Sequence, residues 1–313
     1  MIRWLYEALV RRIGPGVIPW LRSFGLAEPP DADLDLSSAG DFIEVHDRGS
    51  DVTVFAFAGM AAQHGGMVNF EFKSLLRKNG ADFNFVFLRD IRCAGYQLTP
   101  ANQLGGLDFF RAAVERTIEQ LGSRINVSLG TSVGACAALE FASRCGLDMA
   151  MAFSPTWPPE NYDFPAGWRN RLSQLRLLLR SPASFFERFM LFRAGKSTLR
   201  VLQARIVDDA LCDPLAAYRK YGAPRRTLVY FGEEMDCDRL SATRYATEPG
   251  VQLVPLPTER HNTTGVLKRQ GRLGREIVDQ VHGLAAEIRG IRPGETGVEV
   301  VAPSPAFDGG AAE

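Results

Sequence analysis

One serine of this chain stands in a turn that suits nucleophilic chemistry. Ser132 has a glycine two residues to either side, Gly130 and Gly134. The pattern before the turn, at residues 125–129, is typical of a strand, and an alanine-rich helical pattern begins at Val133. A sharp strand-to-helix turn lifts a side chain above the sheet edge, where only glycines fit on either side. The helix start directs backbone N–H groups to the same space, so Ser132 is a candidate nucleophile.

The elements that would position this serine alternate between strands and helices. Apolar patterns predict strands at residues 42–46, 51–58, 83–88, 125–129, 148–153, 227–231 and 251–256. They predict helices at residues 68–78, 107–121, 133–145, from about 239, and at 273–288. Such alternation implies crossover connections and a mostly parallel, doubly wound α/β sheet with both faces covered. Residues 156–222 break the alternation with a mostly helical pattern, which predicts an inserted helical cap.

A serine turn in this context resembles that of the α/β-hydrolase superfamily, in particular bacterial serine hydrolases, and the resemblance covers residues 40–290. It implies the chain order nucleophile, acid, histidine, each on a loop after a strand. Ser132, then Asp236 or Asp238, and then His261 stand in that order. The resemblance therefore implies that Ser132 is the nucleophile and His261 the general base. The alternative for His261 is a histidine in a surface loop.

The acid of this constellation has two candidates. Asp236 lies four residues after Gly232, which ends a predicted strand, and this is a usual reach for a third triad member. Asp238 opens a helical stretch, so it could instead cap the backbone N–H groups of that helix. We expect only one of the two carboxylates to contact His261.

The resemblance also implies an oxyanion hole made by two backbone N–H groups. One belongs to Val133, after the nucleophile, and the other to Met60, in the loop after a predicted strand. Gly59 and His64 of that loop are candidate substrate-binding residues. His64 begins an HGG stretch similar to one in some lipases and esterases, although it lies several residues downstream. The alternative is that His64 caps the loop or is exposed on it.

The predicted cap is both basic and apolar. Residues 168–205 contain nine basic residues and one acidic residue, Glu187, interleaved with leucines and phenylalanines. Such a surface suits a small-molecule or carrier-linked acyl substrate with an anionic part. The alternative is that the apolar stripe packs on the body while the arginines form a solvated outer face.

The resemblance implies a serine hydrolase that cleaves an ester or thioester through an acyl-Ser132 intermediate. Two alternatives stay open: an acyltransferase that passes the acyl group to a sugar or amine, and a non-catalytic binding protein on the same fold. We expect no metal and no cofactor, because the chain has no HExxH motif and no Cys/His cluster at ligand spacing. Residues 195–198, GKST, lack the upstream glycine of a phosphate-binding loop.

Composition narrows the choice of partners and location. The 313 residues include 36 basic and 36 acidic ones, and this neutral balance argues against general nucleic-acid binding. The five cysteines form no CxxC pair, which favours reduced thiols and a cytoplasmic location.

The two ends of the chain differ from the predicted α/β core, which comprises residues 41–155 and 223–290. Residues 1–40 contain an apolar segment that is too interrupted to span a bilayer. We expect this segment to form an amphipathic helix on the body, with peripheral membrane contact as the less favoured alternative. Residues 291–313 are rich in proline, glycine and alanine, and this composition predicts a loose tail.

Overall fold

The computed structural model describes residues 42–59, 72–79, 82–92, 94–156, 176, 178–180 and 213–290. The predicted N-terminal segment, most of the predicted cap and the predicted tail lie outside these ranges, so the domain boundaries stay predictions. The strands are β1 Ile43–His46, β2 Val52–Phe57, β3 Asn84–Leu88, β4 Ile125–Thr131, β5 Met149–Phe153, β6 Arg226–Gly232 and β7 Val251–Leu256. The helices are α1 Lys73–Asn79, α2 Gly106–Leu121, α3 Val133–Arg144, α4 Pro214–Tyr221, α5 Asp236–Thr243, α6 Thr263–Arg269 and α7 Leu273–Ile288.

The described residues form a seven-stranded sheet with the order β1-β3-β2-β4-β5-β6-β7. Strands β2 to β7 are all parallel to one another, and the edge strand β1 pairs with β3 in the antiparallel direction. The predicted doubly wound, mostly parallel α/β sheet is therefore confirmed. Because β4, β6 and β7 are parallel, their carboxyl ends lie at the same edge, and the loops that follow them converge there.

Both faces of the sheet are buried, because side chains alternate between them along each strand. In β2, Phe55 and Phe57 pack with the helices α2, α3 and α4 on one face. Val54 and Ala56 pack on the other face, which α1, α6 and α7 cover. The central strands are consequently largely apolar on both faces, as expected for a sheet that is covered on both sides.

Of two helices after β5, α4 lies in a segment that was predicted to be mostly helical, and α6 was not predicted. Helix α4 lies within the segment 156–222 and packs on α3, where the Ser143 hydroxyl donates to the Ala217 carbonyl oxygen at 2.9 Å. Helix α6 begins at Thr263, where the sequence pattern predicted no helix. In the part of the chain that the structure describes, no helix is long and apolar enough to cross a bilayer.

Candidate active site

The turn that carries Ser132 is closely packed. Ser132 lies between β4 and α3 with φ 57° and ψ −120°, a conformation that non-glycine residues seldom adopt. A Cβ atom on Gly130 would lie 2.1 Å from the Gly134 carbonyl oxygen. A Cβ atom on Gly134 would lie 2.3 Å from the Phe57 carbonyl oxygen, at the end of β2. Both glycines are therefore required by close backbone contacts, and the Ser132 N–H donates to the Phe153 carbonyl oxygen at 2.8 Å.

A continuous line of hydrogen bonds joins Ser132, His261 and Asp238. Nε2 of His261 lies 3.0 Å from Oγ of Ser132, and Nδ1 of His261 lies 2.7 Å from Oδ1 of Asp238. Asp238 is 0% exposed and His261 is 2% exposed. An ionised carboxylate only accepts hydrogen bonds, so Nδ1–H donates to Asp238 and Nε2 is left to accept from the serine hydroxyl.

The two candidate acids lie in different surroundings. Helix α5 begins at Asp236, and its N-cap is Met235, so neither aspartate is the cap residue that the pattern at Asp238 predicted. The side chain of Asp236 is 59% exposed and pairs with Arg239 at 2.8 Å. The structure thus brings Asp238 to the histidine and leaves Asp236 on the surface.

Close backbone contacts bring the acid loop and the histidine loop together. A Cβ atom on Gly232, at the end of β6, would lie 2.8 Å from the carbonyl oxygens of both Thr258 and Arg260. This approach is open only to glycine, and it places the loop after β6 directly against the loop that carries His261. The buried pair of His261 and Asp238 follows from this crossing.

Polar side chains that directly follow His261 fix its loop to the sheet edge. The Thr263 and Ser154 hydroxyls lie 2.9 Å apart, and the Thr131 hydroxyl donates to that of Thr264 at 3.3 Å. Asn262 caps α6 by accepting the Gly265 N–H at 2.8 Å. None of these contacts was predicted from the sequence.

One of them had a signal in the sequence. Asn262, a favoured N-cap residue, precedes the helix that was not predicted. By contrast, nothing in the pattern pointed to Ser154, a buried residue with φ 50° that follows β5.

The predicted oxyanion donors fall partly within the described residues. Val133 is the first residue of α3, so its N–H belongs to the first turn, where N–H groups have no acceptor within the helix. The end of β2 packs against this turn at Gly134. Gly59, which is buried, lies two residues after the last residue of β2. Met60 and His64 lie outside the described residues, so their roles stay predictions.

Two other histidines lie away from this site. His46, on the edge strand β1, has Nε2 2.5 Å from Oε1 of Glu44. The ring of His282, on α7, packs against Phe83 with 4.8 Å between the centroids. The ring of His46 thus pairs with a carboxylate and that of His282 packs in an aromatic contact, and neither contact involves Ser132.

Cysteine chemistry is disfavoured at the buried Cys136 and the partly buried Cys145, in and at the end of α3. Burial raises the pKa of the Cys136 thiol to about 12 and that of the Cys145 thiol to about 12. Both thiols therefore stay protonated at neutral pH, and the thiolate is the nucleophilic form.

Within the described ranges, no group of three or more His, Cys, Asp or Glu side chains is arranged to hold a metal ion.

Comparison with known proteins extends these observations. No protein-family model matches the sequence, and no curated protein matches it. The chain is similar to a protein of unknown function from Staphylococcus aureus subsp. aureus Mu50, at 12% identity and a TM-score of 0.53, over 77% of this chain and 94% of that chain. At this identity the likeness concerns the fold alone.

Two further solved structures are similar at lower scores. A proline iminopeptidase from Mycobacterium smegmatis has 15% identity and a TM-score of 0.48, over 80% of this chain and 98% of that chain. An esterase from Exiguobacterium antarcticum has 14% identity and a TM-score of 0.46, over 77% and 95% of the two chains. The topology of the sheet identifies the fold. The strand order, the antiparallel edge strand β1 and the serine turn between β4 and α3 show that this chain has the α/β-hydrolase fold.

Proposed function

We propose that this protein is a serine hydrolase that cleaves an acyl ester or thioester through an acyl-Ser132 intermediate. The observation that carries the proposal is the line of hydrogen bonds from Asp238 through His261 to Ser132, at 2.7 and 3.0 Å. A serine hydroxyl becomes an effective nucleophile only beside a base that is itself oriented by a third group. These three side chains have the chemistry and spacing for those roles.

In the acylation step, Oγ of Ser132 attacks the carbonyl carbon of the substrate while Nε2 of His261 takes the hydroxyl proton. The carbonyl oxygen becomes an oxyanion, which accepts hydrogen bonds from the N–H groups of Val133 and Met60. Collapse of this tetrahedral species breaks the bond to the leaving alcohol or thiol, which receives the proton from Nε2. The products of the step are the acyl-serine and the free leaving group.

In the deacylation step, water attacks the acyl-serine while Nε2 of His261 takes a proton from it. The second tetrahedral species collapses, the proton returns to Oγ of Ser132, and the carboxylic acid leaves. Throughout both steps, Asp238 holds the proton of His261 on Nδ1 and stabilises the imidazolium that forms. The buried setting of the pair strengthens this interaction relative to one in water.

Turnover of a p-nitrophenyl ester and of an acyl thioester tests this proposal. We expect Ser132→Ala and His261→Ala to lose about 10³-fold or more in kcat/KM, as when a triad member is removed. His46→Ala is the matched control, because it removes a histidine from an edge strand and should change kcat/KM by less than about twofold.

The products distinguish hydrolysis from transfer. Free acid as the product, at a yield that added sugars and amines leave unchanged, supports a hydrolase. An acylated acceptor that replaces the free acid would assign the same three residues to an acyltransferase. Equal rates for wild type and Ser132→Ala would contradict the proposal.

A further inference from the structure

A groove of about 980 Å³ lies beside the candidate active site, between α1, α6 and the start of α7. The described residues that line it include five basic ones and no acidic one. We call it the basic groove, after its cations Lys73, Lys78, Lys268, Arg269 and Arg275. A volume of this size is large enough for a small organic ligand.

The basic groove adjoins the residues that we propose as catalytic. Thr131 and Asn262 line it, and they directly precede Ser132 and directly follow His261 in the chain. Consecutive Cα atoms are about 3.8 Å apart, so the groove reaches within one residue of both the nucleophile and the base. A molecule bound there would lie close to a substrate on Ser132.

Within the described residues, most cations of the basic groove form no ion pair with a carboxylate. Lys73 is an exception, since its Nζ lies 2.5 Å from Oε1 of Glu44. The other four side chains are exposed and form no ion pair with a carboxylate of the described residues. On a chain with equal numbers of acidic and basic residues, this is a local excess of positive charge.

Stabilisation of helix ends accounts for only part of this cluster. Lys78, Lys268 and Arg269 lie in the last turns of α1 and α6, where a cation interacts favourably with the helix dipole. Arg275 lies in the first turn of α7, where the dipole disfavours a cation. Repulsion between Arg275 and the other three exposed cations of the groove is electrostatically unfavourable, and a bound anion would offset it.

We infer that the basic groove binds the phosphate groups of a phosphorylated leaving group, so that the substrate is an acyl thioester or ester whose thiol or alcohol side carries phosphates. This inference rests on the proposed function of Ser132. Lysine and arginine side chains are the usual partners of phosphate oxygens. The apolar residues Phe72, Leu75 and Leu273 also line the groove and offer contact surface for the organic part of such a group.

A pair of substrates with the same acyl group tests the inference. The leaving thiol of acetyl-coenzyme A is a molecule that carries phosphates at a distance from the sulfur, whereas S-acetyl-N-acetylcysteamine presents a similar thioester without phosphates. For Lys268→Gln and Arg275→Gln, we expect the ratio of kcat/KM for the first substrate to that for the second to fall about two- to fivefold each, as for single exposed ion pairs. Because independent effects add in free energy, the double variant should lower that ratio about 4- to 25-fold. Arg244→Gln, at an exposed arginine outside the groove, is the matched control and should leave the ratio unchanged.

Binding of pyrophosphate to the Ser132→Ala protein provides a readout that needs no catalysis. We expect calorimetry to detect binding that weakens in Lys268→Gln and Arg275→Gln and as the salt concentration rises. Inorganic phosphate, with fewer charges, should bind more weakly than pyrophosphate. Melting temperatures of the variants show whether lost helix-end stabilisation accompanies the change.

The outcomes separate the two proposals. Pyrophosphate binding through the groove without turnover would support the anion site and contradict the hydrolase. Turnover of the phosphate-free thioester, with pyrophosphate binding absent or unchanged by the groove substitutions, would overturn the anion site and leave the hydrolase standing.

Discussion

His261 and Asp238, which continue the line of hydrogen bonds from Ser132, are buried, whereas most cations of the basic groove beside them are exposed. His261 is 2% exposed and Asp238 is 0% exposed, and each occupies one position set by several neighbours. Lys268 and Arg275 instead lie on the surface, where water and salt screen their charges. The buried residues can therefore hold a fixed geometry for catalysis. The exposed cations can attract an anion, but each contributes weakly and only their sum is substantial.

The two aspartates of α5 test this contrast most strongly. Asp238→Asn keeps the shape of the buried side chain but removes the acceptor that orients His261, so we expect kcat to fall about 10⁴-fold. Asp236→Asn removes an exposed carboxylate that pairs only with Arg239 among the described contacts, and should change kcat by less than about twofold.

Steady-state kinetics with one ester substrate measures both variants. Circular dichroism establishes that each is folded. Similar rates for the two variants would break the contrast, because exposure would then not distinguish the acid that acts.

Two glycines provide the next test, on stability. A Cβ atom on Gly134 would meet the Phe57 carbonyl oxygen at 2.3 Å, so we expect Gly134→Ala to destabilise the protein by about 3 kcal/mol. Gly283 lies within α7 and has no atom within 4 Å of its Cβ position, so Gly283→Ala should stabilise by about 1 kcal/mol. Denaturant unfolding gives the change in the free energy of unfolding for both variants. If Gly134→Ala destabilised the protein no more than Gly283→Ala does, the close packing of the serine turn would be contradicted.

Much of the fold could be predicted from the sequence because the sheet is buried on both faces. The pattern placed strand Val251–Leu256 and helix Leu273–Ile288 at the bounds that the structure has. Helix Thr263–Arg269 was missed because it is short and contains β-branched residues and a glycine. It depends instead on the Asn262 cap and on the burial of Leu267, which are contacts that the local pattern does not carry.

In the candidate site, too, some features could be predicted from the sequence and others depend on the folded structure. The order of Ser132, the aspartates and His261 along the chain was visible in the sequence, but the choice between Asp236 and Asp238 was not. That choice depends on the phase of α5, because residues two positions apart point about 200° apart around a helix. The basic groove was not predicted either, since its residues come from α1, α6 and α7, which only the folded sheet brings together.

The central claim is that Ser132 is an activated nucleophile, and the most direct measurement is the intact mass after treatment with a fluorophosphonate probe. We expect one adduct on the wild-type protein, none on Ser132→Ala, and labelling of His261→Ala slower by about 10³-fold or more. Because the probe is small and carries no leaving-group phosphates, Lys268→Gln should label at the wild-type rate. An unlabelled, folded wild-type protein, or an adduct that persists in Ser132→Ala, would contradict the account.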